Sequence, residues 1–135
     1  MPHLTVEYSS NLEPELDVLH LLHALHRAVL ATGVFELGAL RTRAERREHY
    51  LVADGDPDNA FVHATLRVGS GRDPEALRRC GEQVFAALTE ALEPVQERRG
   101  LGLSLELQEI HPALSFKQNT LHERMRAKGL TGVGS

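Results

Sequence analysis

Twice along this chain a stretch of alternating apolar and polar residues gives way to an amphipathic helical stripe, and then to a second alternating stretch. Period two marks a strand with one buried face, and period 3.6 marks a helix able to lie on that face. The order therefore reads as two β-α-β units in tandem, and few architectures accommodate it. In the first unit Leu4, Val6 and Tyr8 alternate with His3, Thr5 and Glu7. Pro2, which brings no amide hydrogen to a ladder, fits only at the start of that strand. Ser10 or Asn11 is expected to cap the following helix, with Glu13, Pro14 and Glu15 in its first turn. Val18, Leu22, Leu25 and Val29 form its buried stripe, and Gly33 ends it. Leu40 to Ala44 is then extended, which puts the Arg41 and Arg43 guanidiniums on one face of a strand.

A hairpin or irregular excursion through Tyr50, Val52 and the turn-rich 54–59 segment leads into the second unit. Phe61 to Val68 reads as a strand, and Asp73-Pro74 as a cap followed by the first helical residue. Leu77, Val84, Phe85, Leu88 and Leu92 give the apolar helical face, with a break or kink expected near Glu93 because of Pro94. After Gly100, Leu101, Leu103, Leu105 and Leu107 mark the last long strand. Strands joined by so long a crossover pair most economically as parallel, right-handed units. The expected fold is α+β: one domain over 1–128, with a four-stranded mixed core sheet and both helices on one face. A short extended piece after His111-Pro112 and a helical turn or two from Thr120 to Lys128 complete it, with 129–135 as a flexible tail. The sheet face away from the helices carries Thr, His, Arg and Ser, only partly suited to water, so association through it or through the sheet edges is expected.

The totals narrow the functional classes. At 135 residues, 41% hydrophobic and 25% charged, the chain has the size and balance of one globular domain. Its formal net charge of −4 argues against generic nucleic-acid binding, which needs clustered basic surface. The apolar runs are too short to span a membrane, the start lacks a secretory signal, and the single Cys80 suits a reducing compartment. The cytoplasm is the expected location. An anionic ligand would need a local positive site. Among the 15 basic residues only Lys117 and Lys128 are lysines, and arginine is the better side chain for carboxylates.

Pro2 is the first chemical candidate. A small residue after Met1 normally permits removal of the methionine, which would expose a secondary amine on a rigid ring. Burial and nearby arginines would lower its pKa toward that of a general base at neutral pH; the plain alternative is an ordinary first strand residue. Arg41 and Arg43 are either a carboxylate-binding pair or a solvated strand face paired with Glu45 or Glu48. Gly69-Ser70-Gly71-Arg72-Asp73-Pro74 leads into a helix start, where backbone amides favour anions, but it lacks the lysine and hydroxyl of a phosphate-binding P-loop. His20, His23 and His26 spread around their helix with no ligand set to complete a zinc site, so their structural reading is preferred and no metal is expected. His63 and Lys117 are further pocket candidates.

These features together resemble the tautomerase superfamily, and within it the 5-carboxymethyl-2-hydroxymuconate isomerase family. The resemblance is carried by Pro2 after Met1, Ala31-Thr32-Gly33 with Phe35, Leu40-Arg41-Thr42-Arg43, Ala53-Asp54-Gly55 and Ala60-Phe61-Val62-His63. It continues through Gly69-Ser70-Gly71-Arg72 and His111-Pro112-Ala113-Leu114-Ser115-Phe116-Lys117-Gln118-Asn119. It implies a homotrimer with an active site at each Pro2, acting on a dienol tricarboxylate from homoprotocatechuate breakdown without a cofactor. Pro2 would serve as base and then acid, and Arg41 would bind a carboxylate and the developing dienolate. Arg43 and Arg72 would be further carboxylate contacts or structural supports, and the pocket candidates His63 and Lys117 are assigned to substrate binding beside them. Other outcomes in view are a related tautomerase or dehalogenase, and a binding protein of the macrophage migration inhibitory factor type.

Overall fold

The computed structural model describes residues 1–130. Four strands, β1 (His3–Ser9), β2 (Arg41–Arg47), β3 (Ala60–Gly69) and β4 (Leu101–Ile110), form one sheet in the order β2-β1-β3-β4. Both crossover pairs, β1 with β2 and β3 with β4, are parallel. The two units join through an antiparallel β1–β3 pairing, so the sheet is mixed. Helices α1 (Val18–Ala31) and α2 (Pro74–Arg98) pack together over one sheet face.

The core lies between that face and the helices. Leu4, Val6, Val62, Leu66 and Val68 point into it from the central strands, all fully buried. Burying a side chain of this kind contributes about 1.5–3 kcal/mol. From α1 come Leu21, Leu25, Val29 and Leu30, with Val18 and Leu22 only partly covered. From α2 come Cys80, Val84, Leu88, Leu92 and Val95. Phe85, expected in this stripe, lies at its margin and is 39% exposed.

Two local expectations are corrected. The cap of α1 is Asp17, whose carboxylate accepts the His20 amide at 3.0 Å. Ser10 to Leu12 instead forms a 3-10 turn, and the Asn11 amide is committed to the Pro57 and Asn59 carbonyls at 3.0 and 2.8 Å. Pro94 does not interrupt α2, which runs on to Arg98. Its missing donor frees only the Glu90 carbonyl, on an exposed stretch, while Leu92 and Val95 keep the buried stripe continuous across it. Asp73 caps α2 with Pro74 as its first residue, as expected. The 48–59 segment is irregular rather than a hairpin.

The last described element, α3 (Leu121–Ala127), is closed by Gly129 at φ +79°. The Gly129 amide donates to Arg126 and the Leu130 amide to Met125, a glycine-terminated helix end. These two residues of the expected tail thus belong to the α3 terminus, and the remainder of the tail lies outside the described residues. Among the described residues no helix is long and apolar enough to cross a membrane.

Candidate active site

The strand directions decide where the chemistry gathers. Because β1 and β2 run against β3 and β4, the starts of the first pair lie beside the ends of the second. Pro2 stands at that end of the sheet and is buried. Its carbonyl accepts the Arg41 amide at 3.2 Å, extending the β1–β2 ladder by one bond. β3 ends at Gly69, and the Gly69-to-Arg72 turn therefore rises next to Pro2. β4 ends at Ile110, opposite Gly69, and the segment after it carries Lys117 back to the same place.

A cleft of about 430 Å³ results, with Met1, Pro2, Phe35, Arg72, Lys117 and Asn119 among its lining residues. A smaller space of about 210 Å³, also bordered by Met1 and Lys117, adjoins Ser70, Ser115 and Pro112. Arg72 is held in two ways. It donates to the Gly69 carbonyl at 3.1 Å, and its guanidinium lies 4.8 Å from the centre of the buried Phe35 ring. A cation over an aromatic face gains about 0.5–2 kcal/mol, and here the contact also aims the charge. The Arg41 guanidinium donates to the Ala39 carbonyl, beside the cleft wall.

These cations set the electrostatics of the chain start. The Met1 amine is held below the ordinary α-amino range, first by burial and then by the charges of Lys117 and Arg72, a hydrogen bond with Lys117, and the charge of Arg41. Pro2, more deeply buried, lines the same cleft as Arg72 and Lys117. The start of β1 is thus a place where an amine is readily neutral.

Not every sequence candidate meets there. Arg43 shares the Arg41 strand face, but its guanidinium is exposed on the open side of the sheet and donates to His3 Nδ1 at 3.1 Å. His3 is held below its ordinary pKa, by burial first and then by Arg43 and Arg41, which leaves that nitrogen free to accept. His63 pairs in register with Glu7, five residues along β1 from Pro2, or about 17 Å at strand rise. Its ring contacts Ser104 Oγ at 2.6 Å and Glu106 at 3.5 Å. Within one chain His63 is therefore away from the cleft. His26 Nδ1 lies 2.7 Å from Thr42 Oγ1, a structural contact between α1 and β2. Among the described residues no group of three or more His, Cys, Asp or Glu converges as a metal shell.

Known proteins resemble this chain in sequence and in fold. The family model described as 5-carboxymethyl-2-hydroxymuconate isomerase matches residues 2–125. The chain belongs to that family. A 5-carboxymethyl-2-hydroxymuconate Delta-isomerase of Escherichia coli is 39% identical over 122 residues, covering 90% of this chain and 97% of the relative. The crystal structure of a 5-carboxymethyl-2-hydroxymuconate isomerase from Deinococcus radiodurans R1 is 41% identical, with a TM-score of 0.87 over 93% of this chain and 94% of that one. A further 5-carboxymethyl-2-hydroxymuconate delta-isomerase structure is 31% identical, with a TM-score of 0.86 over 93% of each chain. A member of the cis-3-chloroacrylic acid dehalogenase family, 14% identical with a TM-score of 0.63 over 87% of this chain and 81% of that one, shares the fold alone. Membership of the 5-carboxymethyl-2-hydroxymuconate isomerase family makes this chain an isomerase of the tautomerase superfamily.

The structure adds cleft residues to which sequence reasoning gave no role. Phe35 was one residue of a matched segment, yet it seats Arg72. Asn119 donates to the Gly38 carbonyl at 2.9 Å and accepts the Leu121 amide at 2.8 Å, and His122 lies 3.0 Å from Glu36. Asn119 was detectable as a polar residue just ahead of a short helix. The contacts with Gly38 and Glu36 are tertiary and left no local signal.

Proposed function

We propose that this isomerase converts 5-carboxymethyl-2-hydroxymuconate to the unsaturated 2-oxo acid in homoprotocatechuate degradation, with Pro2 as the acid-base group after loss of Met1. The observation that carries the reading is the buried chain start facing Arg72, Lys117 and Arg41, which both lowers an amine's pKa and attracts carboxylates. Neutral Pro2 takes the proton of the 2-hydroxyl, and electron density moves through the conjugated diene to carbon five. The Pro2 ammonium returns a proton there, leaving a carbonyl at carbon two. One proton leaves and one is delivered, so the enzyme ends unchanged and no cofactor is required.

Arg41 is assigned the carboxylate next to the reacting hydroxyl and the charge that grows on the dienolate, where a positioned donor acts most strongly. Arg72 and Lys117 take further carboxylates from the cleft walls. Arg43 and His63, on the open sheet face, serve as remote substrate contacts only if assembly brings that face to a neighbouring site. The working unit in this reading is a cytoplasmic homotrimer. Its support is family membership together with the face bearing His3, Thr5, Arg43, His63 and Thr65, which the helices leave uncovered.

The test is ultraviolet loss of the dienol, measured on protein whose intact mass shows whether Met1 is present. Protein starting at Pro2 should be active, and protein retaining Met1, whose Pro2 nitrogen is an amide, should lose about 10²–10⁴ in rate. Full activity in a homogeneous Met1-bearing preparation would remove Pro2 from the chemistry.

A further inference from the structure

Glu36 is the one carboxylate among the described residues that line the Pro2 cleft, on whose walls stand Arg72 and Lys117. In a site for a polyanion an isolated carboxylate at the mouth is unfavourable, because it repels the charges the cations attract. Its environment offsets it. His122 Nδ1 stands 3.0 Å from Glu36 Oε2, and the arrangement is held from below by backbone packing. Gly38 is buried, and a Cβ there would lie 2.9 Å from His122 Nδ1 and 3.1 Å from its amide nitrogen. Only glycine lets α3 settle this closely on the 36–39 turn. Asn119 fastens the same junction through the Gly38 carbonyl and the Leu121 amide. The imidazole is thus set against the carboxylate by a docked helix rather than by chance contact of two long side chains.

We propose that His122, whenever its imidazole carries a proton, cancels the charge of Glu36 at the cleft mouth, and that this pair sets how strongly the site takes polycarboxylates. The proposal rests on the functional reading above and names specificity-determining residues for it. A contact this exposed, 31% for His122 and 60% for Glu36, adds little to stability even when both groups are charged, so its consequence lies in the net charge that an incoming anion meets. The other charges near the pair are Arg72 and Lys117 on the cleft side and Arg126 on the far side of Glu36. Cancelling or exposing one unit charge at this range in a watery mouth changes anion affinity by about two- to fivefold.

The experiment is a four-protein cycle of wild type, Glu36→Gln, His122→Ala and the double variant. At about pH 5.5, where imidazoles are protonated, KM for 5-carboxymethyl-2-hydroxymuconate is measured alongside calorimetric binding of propane-1,2,3-tricarboxylate, which cannot isomerise. Glu36→Gln leaves an uncancelled cation and should tighten both about threefold. His122→Ala leaves an uncancelled carboxylate and should weaken both about threefold, in KM rather than kcat. The double variant should return to the wild-type value, and all differences should shrink in 0.5 M salt. A double variant as weak as His122→Ala would overturn the proposal, since His122 would then act by packing or direct contact. So would an unchanged or weaker Glu36→Gln, a variant that leaves α3 intact. Absence of muconate turnover by wild type with the tricarboxylate cycle intact would sink the assigned reaction and keep the pair, whereas muconate turnover with a cycle flat in both KM and tricarboxylate binding would overturn the pair and keep the reaction.

Discussion

The substitution Gly38→Ala tests whether the docking of α3 matters to the cleft. Gly38 is not among the positive-φ glycines, so alanine meets no backbone penalty and the effect is purely one of space. The new methyl would sit 2.9 Å from His122 Nδ1, 3.1 Å from its amide nitrogen and 3.2 Å from its Cα. Ordinary contact needs about 3.5 Å or more, so α3 must retreat by roughly 0.3–0.6 Å. Overpacking of this kind costs about 1–3 kcal/mol, while stiffening of the unfolded chain adds about 0.4–1 kcal/mol to global stability alone. A short helix that can shift puts the weakening in the lower part of that range, about 1–2 kcal/mol, and it falls on docking rather than on global unfolding because α3 buries no side chain fully. The undocked population should rise about 5- to 30-fold. Amide hydrogen exchange over 119–130 should accelerate by that factor while the melting temperature moves by only a few degrees, and KM should rise. Unchanged exchange over 119–130, or a large global destabilisation with α3 still protected, would refute the reasoning.

Three further outcomes follow from the same geometry. Arg41→Ala should lower kcat by about 10²–10³ and raise KM, with Arg41→Lys recovering only part because the planar fork is lost; Arg43→Ala, whose guanidinium faces His3, should act milder and mainly on KM. In the pH profile of kcat/KM, the active amine is the unprotonated form, so activity should climb with pH and level off above the amine's pKa. Burial, Lys117 and Arg72 lower the pKa of the Met1 amine, and the same surroundings should hold an exposed Pro2 amine below the ordinary range of a proline amine, so Lys117→Ala should move the midpoint upward. Light scattering should report about three chain masses, and a stable, active monomer would show that the site does not need its neighbours.

The fold was legible because its signals are local and repeated. Leu4, Val6 and Tyr8, then Leu101 to Leu107, fix both strand identity and which face is buried, and the crossovers fix parallel pairing. The misread cap shows the limit of local grammar. Ser10 and Asn11 have the right chemistry, but Asn11 is drawn away by the Pro57 and Asn59 carbonyls, partners more than forty residues distant. Pro94 was misjudged for a related reason. Its cost is one freed carbonyl, and whether that matters depends on the carbonyl facing water, which the pattern around Glu93 does not state.

The cleft was half legible, and the division follows distance along the chain. Pro2, Arg41, Arg72 and Lys117 each belong to a segment that could be singled out, yet nothing in their spacing shows that Pro2 and Arg41 are hydrogen-bonded neighbours. That fact needs the β1–β2 register. His63 illustrates the converse, since alternation correctly placed it on a strand facing away from the helices, but the antiparallel β1–β3 register carries it to Glu7, far from Pro2. The face on which a residue lies is thus a property of its own strand, whereas its position along the sheet axis depends on a partner. Carboxylate recognition depends on both, and so the arginines were easier to nominate than to rank. Phe35 makes the same point from the apolar side, because a buried ring reads as core until Arg72 is seen stacked on it. A polar site built at the meeting of four strand ends is written in register, and register is the level of structure that a single sequence states least directly.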